Sequence, residues 1–103
     1  MKISLLDELI AFVREEYGLG TLPVNESSRI EEDLGIAGDE HWELIRKYAQ
    51  LFNVDVSKFP YQEYVSSEPG LFTPQTPTKP ITIGNLKRGI EIGKLDNEVL
   101  AMT

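Results

Sequence analysis

The chain has 103 residues, about one domain's worth, with 10 Lys and Arg against 17 Asp and Glu and a formal charge of -7. Residues 1–57 hold 5 basic and 12 acidic groups and residues 58–103 hold 5 of each, so the whole excess lies in the front half. That field opposes a nucleic-acid backbone and an anionic membrane surface and favours a basic protein partner. The lack of cysteine excludes disulfides, thiolate catalysis and cysteine-ligated metal sites.

The first element is an amphipathic helix. Leu5, Leu9, Phe12 and Val13 recur at helical spacing, and Leu6, Ile10 and Tyr17 widen the stripe. Ser4 is placed to cap its start, with Asp7 three residues on in the manner of a capping box, and Gly18 and Gly20 stop it. Asp7, Glu8, Arg14, Glu15 and Glu16 break up the apolar positions, so this is not the core of a signal peptide. No 18-residue apolar run occurs anywhere, so no membrane span is expected and the cytoplasm is the expected location.

Thr21 to Asp33 shows no sustained periodicity and reads as a long loop, pinned to the core by Ile30 and Leu34. The second helix follows, with Trp42, Ile45, Ala49 and Phe52 along one line and Leu44, Tyr48 and Leu51 beside it. Trp42 is therefore expected in the core. Gly38 or Asp39 caps this helix, and Asp39 and Glu40 suit the positive end of its dipole.

Val54 and Val56 alternate as in a strand, but no second strand is in sight to pair with them. Phe59 to Val65, aromatic and following Pro60, reads as a short helix or turn. Residues 69–80 contain four of the six prolines and read as an extended loop with polyproline character. Helical pattern resumes at Ile81, with Thr82 as N-cap, Ile81 and Leu86 as a hydrophobic staple, Ile83, Leu86 and Ile90 as the buried line, and Gly93 as the stop. The pattern predicts one all-α domain over residues 1–95, a small bundle of three main helices and a short one with a Pro-rich loop before the last. A frayed tail is expected over 96–103.

His41 is the one histidine, set among Asp33, Asp39, Glu40 and Glu43. A calcium loop begun at Asp33 would need oxygen ligands at its third and fifth positions and Glu at its twelfth. Gly35, Ala37 and Leu44 stand there, so that reading fails. The plainer expectation is an exposed His beside an acidic helix start; a small metal-binding or catalytic protein using this cluster is the alternative. Ser4, Ser27, Ser28, Ser57, Ser66 and Ser67 lie in no nucleophile-elbow or Ser-x-x-Lys context, and Ser57 adjoins Lys58 without that spacing. Glu31, Glu32 and Asp33 read as a solvated charge run rather than an acid–base pair. Enzymatic activity is not expected.

The segment Ser28-Arg29-Ile30-Glu31-Glu32-Asp33-Leu34-Gly35, then Glu43-Leu44 at a spacing that matches without a gap, resembles the acyl carrier protein family. In that family an Asp-Leu-Gly precedes a phosphopantetheine-bearing Ser-Leu, and a Glu-Leu follows one turn into the recognition helix. Ile81-Thr82-Ile83 resembles the opening of its last helix. The position of the modified serine is held here by Gly38 and the next by Asp39, so the resemblance implies the carrier shape without the attachment hydroxyl. Glu31 to Glu40 together with Phe52 to Phe59 further resemble an acyl-carrier-like bacterial family catalogued as domain of unknown function 1493. What the two resemblances imply is a non-catalytic interaction module without a cofactor. Asp33, Asp39, Glu40 and Glu43 would meet a basic surface on a protein partner. The alternative within the same resemblance is a functional carrier modified on another serine, with Ser66 or Ser67 the nearest to suitable.

Overall fold

A computed structural model of the chain describes residues 4–64 and 79–101. Within them lie five helical segments: α1 (Leu5–Tyr17), α2 (Asp39–Phe52), α3 (Tyr61–Tyr64), α4 (Ile83–Ile92) and α5 (Asn97–Leu100). The architecture is a small all-α bundle, as the periodicity predicts. Among the described residues no helix is long and apolar enough to cross a membrane.

The caps account for the helix boundaries. Ser4 accepts from the Asp7 amide at 3.1 Å, and Gly18 closes α1 in the left-handed region at φ 57°. Thr82 and Asn85 form a reciprocal capping box, each side chain accepting from the other's backbone amide, at 3.2 and 2.9 Å. Gly93 ends α4 at φ 98°. α2 starts without a side-chain cap, because Gly38 occupies the N-cap position.

Leu9 and Val13 from α1, Leu44, Ile45 and Tyr48 from α2, and Ile83 and Leu86 from α4 meet in one core. α1 packs on α4, and α4 on α5. Ile30, Leu34 and Ile36 enter this core from the long loop, so the two pins expected there are both in place. The same loop runs antiparallel to the approach to α4. Ile30 donates to the Ile81 carbonyl at 2.8 Å, Ile83 to Ser28 at 3.0 Å and Gly84 to Glu26 at 2.8 Å. A second short pairing joins Asp55 to Lys94, through bonds of Asp55 N–H to Gly93 at 3.0 Å and Leu95 N–H to Asp55 at 2.9 Å. That bridge gives the alternating Val54–Val56 stretch a partner the sequence pattern did not reveal.

Two expectations change here. The chain beyond Asp96 is not a frayed end over its first residues: Asp96 caps α5 by accepting from Val99, and Val99 and Leu100 are buried. Trp42 is 41% exposed and Leu51 62% exposed, so neither belongs to the core. The inward stripe of α2 is His41, Leu44, Ile45 and Tyr48, rotated by one residue from the line through Trp42. The expected Pro-rich loop over 69–80 lies outside the described residues apart from Lys79 and Pro80. There Lys79 donates from its backbone to the Glu63 carbonyl at 2.8 Å and from its ammonium to the Glu63 carboxylate at 3.2 Å.

Candidate functional site

The start of α2 gathers most of the residues singled out from the sequence. Gly38 sits at φ 61°, ψ −131°, a backbone shape that a side chain with a Cβ resists. Its carbonyl accepts the Trp42 amide at 3.1 Å, the first turn of the helix. Asp39 and Glu40 follow at the positive end of the dipole, both exposed, and neither makes an ion pair among the described residues. The Tyr17 hydroxyl donates to the Glu40 carbonyl at 3.0 Å and ties the end of α1 to this turn. Burial, helped by the nearby Glu43 charge, pushes the Tyr17 phenol up to about 12, so it is a hydrogen-bond donor at any ordinary pH.

The four proposed docking carboxylates separate into two kinds. Asp33 belongs to a loop cluster in which it accepts from the Arg29 amide at 2.8 Å and from the guanidinium at 3.0 and 3.1 Å; Glu32 binds the same guanidinium. These bonds from Arg29 hold the Asp33 carboxyl below its ordinary range. Glu43 pairs with Lys47 one turn on at 2.9 Å, and Lys47 also meets Glu16 of α1 at 2.9 Å. Those two partners raise the Lys47 ammonium well above its usual range. Asp39 and Glu40 are thus the members of the set with unengaged carboxylates, while Asp33 and Glu43 already hold cations.

His41 departs most from expectation. It is fully buried instead of exposed, with Nδ1 2.6 Å from the Glu31 carboxylate and Nε2 facing no partner. The lone buried nitrogen indicates the protonation state. A neutral ring that donates from Nδ1 to Glu31 leaves Nε2 as a lone pair, whereas an imidazolium would bury an N–H with nothing to accept it. Burial lowers the His41 pKa, and the Glu31 bond and charge oppose that without reversing it. The pair fastens the long loop to the first turn of α2. Among the described residues no group of three His, Cys, Asp or Glu side chains is placed to hold a metal ion.

Around the helix from His41 lies an aromatic shelf that the sequence reading missed. Trp42 stacks on Tyr61 of α3, with ring centres 4.7 Å apart and planes 21° apart, and the Arg46 guanidinium lies 5.2 Å from the indole centre. Tyr61 in turn meets Phe59 edge-on at 4.6 Å. The signal was available: His41, Leu44, Ile45 and Tyr48 follow i, i+3, i+4, i+7 without a gap, and only the polarity of histidine argued against that stripe. Taking it as the inward face turns Trp42 outward.

Fold and site together define a small helical protein with an acidic, solvent-facing helix start and a fixed exposed tryptophan one turn in. The chain belongs to the family described as protein of unknown function (DUF1493), whose model matches residues 3–95. No curated protein and no solved structure matches it.

Proposed function

We propose that this chain is a carrier-protein-like interaction module that performs no catalysis. In this reading it binds a basic surface of a protein partner through the start of α2 and carries no phosphopantetheine at the usual position. The observation that carries the reading is the pair Asp39 and Glu40, exposed in the first turn of α2 and unengaged by any described cation. Two carboxylates left open beside a helix start make a local negative field that a partner's Lys or Arg would neutralise. That attraction steers encounter and weakens as salt rises.

The carrier likeness adds what the helix start is for. Gly38 stands where a carrier has its modified serine, so no hydroxyl is present to form the phosphodiester. Asp33 and Glu43 are given a smaller part than the sequence suggests, since binding to a partner would first have to compete with Arg29 and Lys47.

Two measurements test the reading. Co-expression with a permissive phosphopantetheinyl transferase should leave the intact mass unchanged; a stoichiometric gain of one phosphopantetheine overturns the proposal. Affinity purification from the source cells should recover a principal partner, and the double change Asp39→Lys, Glu40→Lys should remove it while the melting temperature holds. If that partner stays bound to the double variant, the acidic helix start is not the docking edge.

A further inference from the structure

The first turn of α2 has no side-chain cap, because Gly38 has no side chain to accept from its amides. Contacts from other parts of the chain hold it instead. Among the described residues three do so. The Tyr17 hydroxyl of α1 donates to the Glu40 carbonyl at 3.0 Å, the His41 ring meets the Glu31 carboxylate at 2.6 Å, and the Trp42 indole stacks on Tyr61 of α3. A helix start held from outside is only as firm as those contacts, and helix ends are where local opening begins.

The three contacts respond differently to acid. Burial pushes the Tyr17 phenol up to about 12 and raises the Tyr61 phenol as well, so both keep their protons as the pH falls. His41 is the group that gains one. Its Nδ1 is taken by Glu31 and its Nε2 is buried without a partner, so a second ring proton would place an N–H where nothing accepts it. The charged and titratable groups about this turn come from several elements. Glu31 comes from the loop, where Arg29, Glu32 and Asp33 bind one another; Tyr17 comes from α1 and Tyr61 from α3; Asp39, Glu40 and Glu43 belong to α2. Of these, Glu31 acts on the ring, and its attraction for a positive imidazole is outweighed by burial. A protonated ring is relieved by reaching water. The loop cannot easily yield, since Ile30, Leu34 and Ile36 are buried in the core and Ile30 donates to the Ile81 carbonyl at 2.8 Å. The uncapped turn that carries His41 is the side that gives way.

We infer that the His41–Glu31 contact is a pH-sensitive latch on the first turn of α2: acid releases residues 39–42 while the loop and the rest of the bundle stay folded. With the turn open, His41 titrates near its ordinary value of about 6.5, above its value in the closed turn. The open state therefore binds more protons, so the latch is closed above that pH and loosens as the pH falls below it. Asp39 and Glu40 lie in the same turn, so the pH sets whether their carboxylates are presented from a fixed helix start. The latch is a property of this chain alone and goes beyond the acidic-edge reading without depending on it.

The test is amide hydrogen exchange of the whole chain, followed by NMR from about pH 7.5 to about pH 5 beside the titration of the His41 ring. The Trp42 amide, bonded to the Gly38 carbonyl at 3.1 Å, reports on the first turn of α2, and the Ile30 amide reports on the loop. Once the intrinsic pH dependence of exchange is divided out, protection of Trp42 should fall several-fold, and by no more than about tenfold per pH unit for one proton. Protection of Ile30 should hold. The emission of Trp42, the one tryptophan in the chain, should change over the same range. His41→Gln, which keeps a donor for Glu31 and takes up no proton, should abolish the change at Trp42. Should that variant fail to fold, the wild type decides the matter: the loss at Trp42 must share its midpoint with the His41 ring. Protection of Trp42 that stays constant, or that falls at a midpoint other than that of His41, overturns the inference. Loss of protection at Trp42 and Ile30 together also overturns it, because the release is then unfolding of the whole bundle. None of these outcomes bears on the acidic edge, which is judged by partner binding.

Discussion

The two sides of α2 handle polar and aromatic groups in opposite ways. On the inward side each polar atom that is engaged has one partner: the Tyr48 hydroxyl donates to the Leu86 carbonyl at 2.6 Å, and His41 Nδ1 meets Glu31. On the outward side Lys47 is shared between two carboxylates, and the exposed Arg46 guanidinium lies over an indole face. In low dielectric a lost partner leaves a desolvated group, so the inward contacts are costly to change. In water the outward contacts are each worth little. One helix thus provides a side that fixes the fold and a side that can be altered without unfolding it, which is what a binding face requires.

Substitutions can break or sharpen that contrast, and the largest effect belongs to the core. Leu44→Ala empties a fully buried position and should cost about 3 kcal/mol, a fall in melting temperature of about 15 °C by calorimetry. Gly89→Ala comes next. A Cβ there would lie 2.4 Å from the Tyr48 hydroxyl and 3.2 Å from the Leu95 side chain, so the helices must shift at a cost of about 2 kcal/mol. Adding Tyr48→Phe removes the clashing oxygen, and the double variant should be more stable than the sum of the two single changes allows.

The His41–Glu31 pair should appear as pH dependence. Burial lowers the folded-state pKa of His41, so between that value and the unfolded value of about 6.5 the unfolded chain binds more protons. Stability from this residue is therefore complete above about pH 6.5 and declines as the pH falls below it. Denaturant midpoints taken from pH 7.5 down to 5 should fall for the wild type and fall less steeply for His41→Gln. Parallel curves would remove His41 from the set of groups that fasten the loop to α2. The smallest effect lies on the outward side: Glu43→Gln breaks the exposed pair with Lys47 and should change stability by no more than about 0.5 kcal/mol. A loss of several times that size would mean that the outward face also holds the fold.

What was legible in the sequence followed from local rules. Helix ends were readable because Ser4, Thr82, Gly18 and Gly93 act within one turn, and the structure uses all four. The loop pins Ile30 and Leu34 were readable because isolated apolar residues in a polar stretch have few other uses. The inward face of α2 was not, since histidine scores as polar until its partner is known, and Glu31 lies ten residues away in a segment without periodicity. Long-range pairings such as Asp55 with Lys94 leave no local trace either. At the candidate site the acidic residues were visible as a run, but their engagement was not. Asp33 and Glu43 look identical to Asp39 and Glu40 until Arg29 and Lys47 are seen to hold them.

The measurement closest to the central claim is the salt dependence of partner binding, compared between the wild type and Asp39→Asn, Glu40→Gln. The affinity of the wild-type chain for its recovered partner should fall steeply as salt rises. The doubly neutralised chain should bind more weakly at low salt and converge with the wild type at high salt, because the field that salt screens has been removed. Two curves of the same slope and position would contradict the account and place the docking surface elsewhere on the protein.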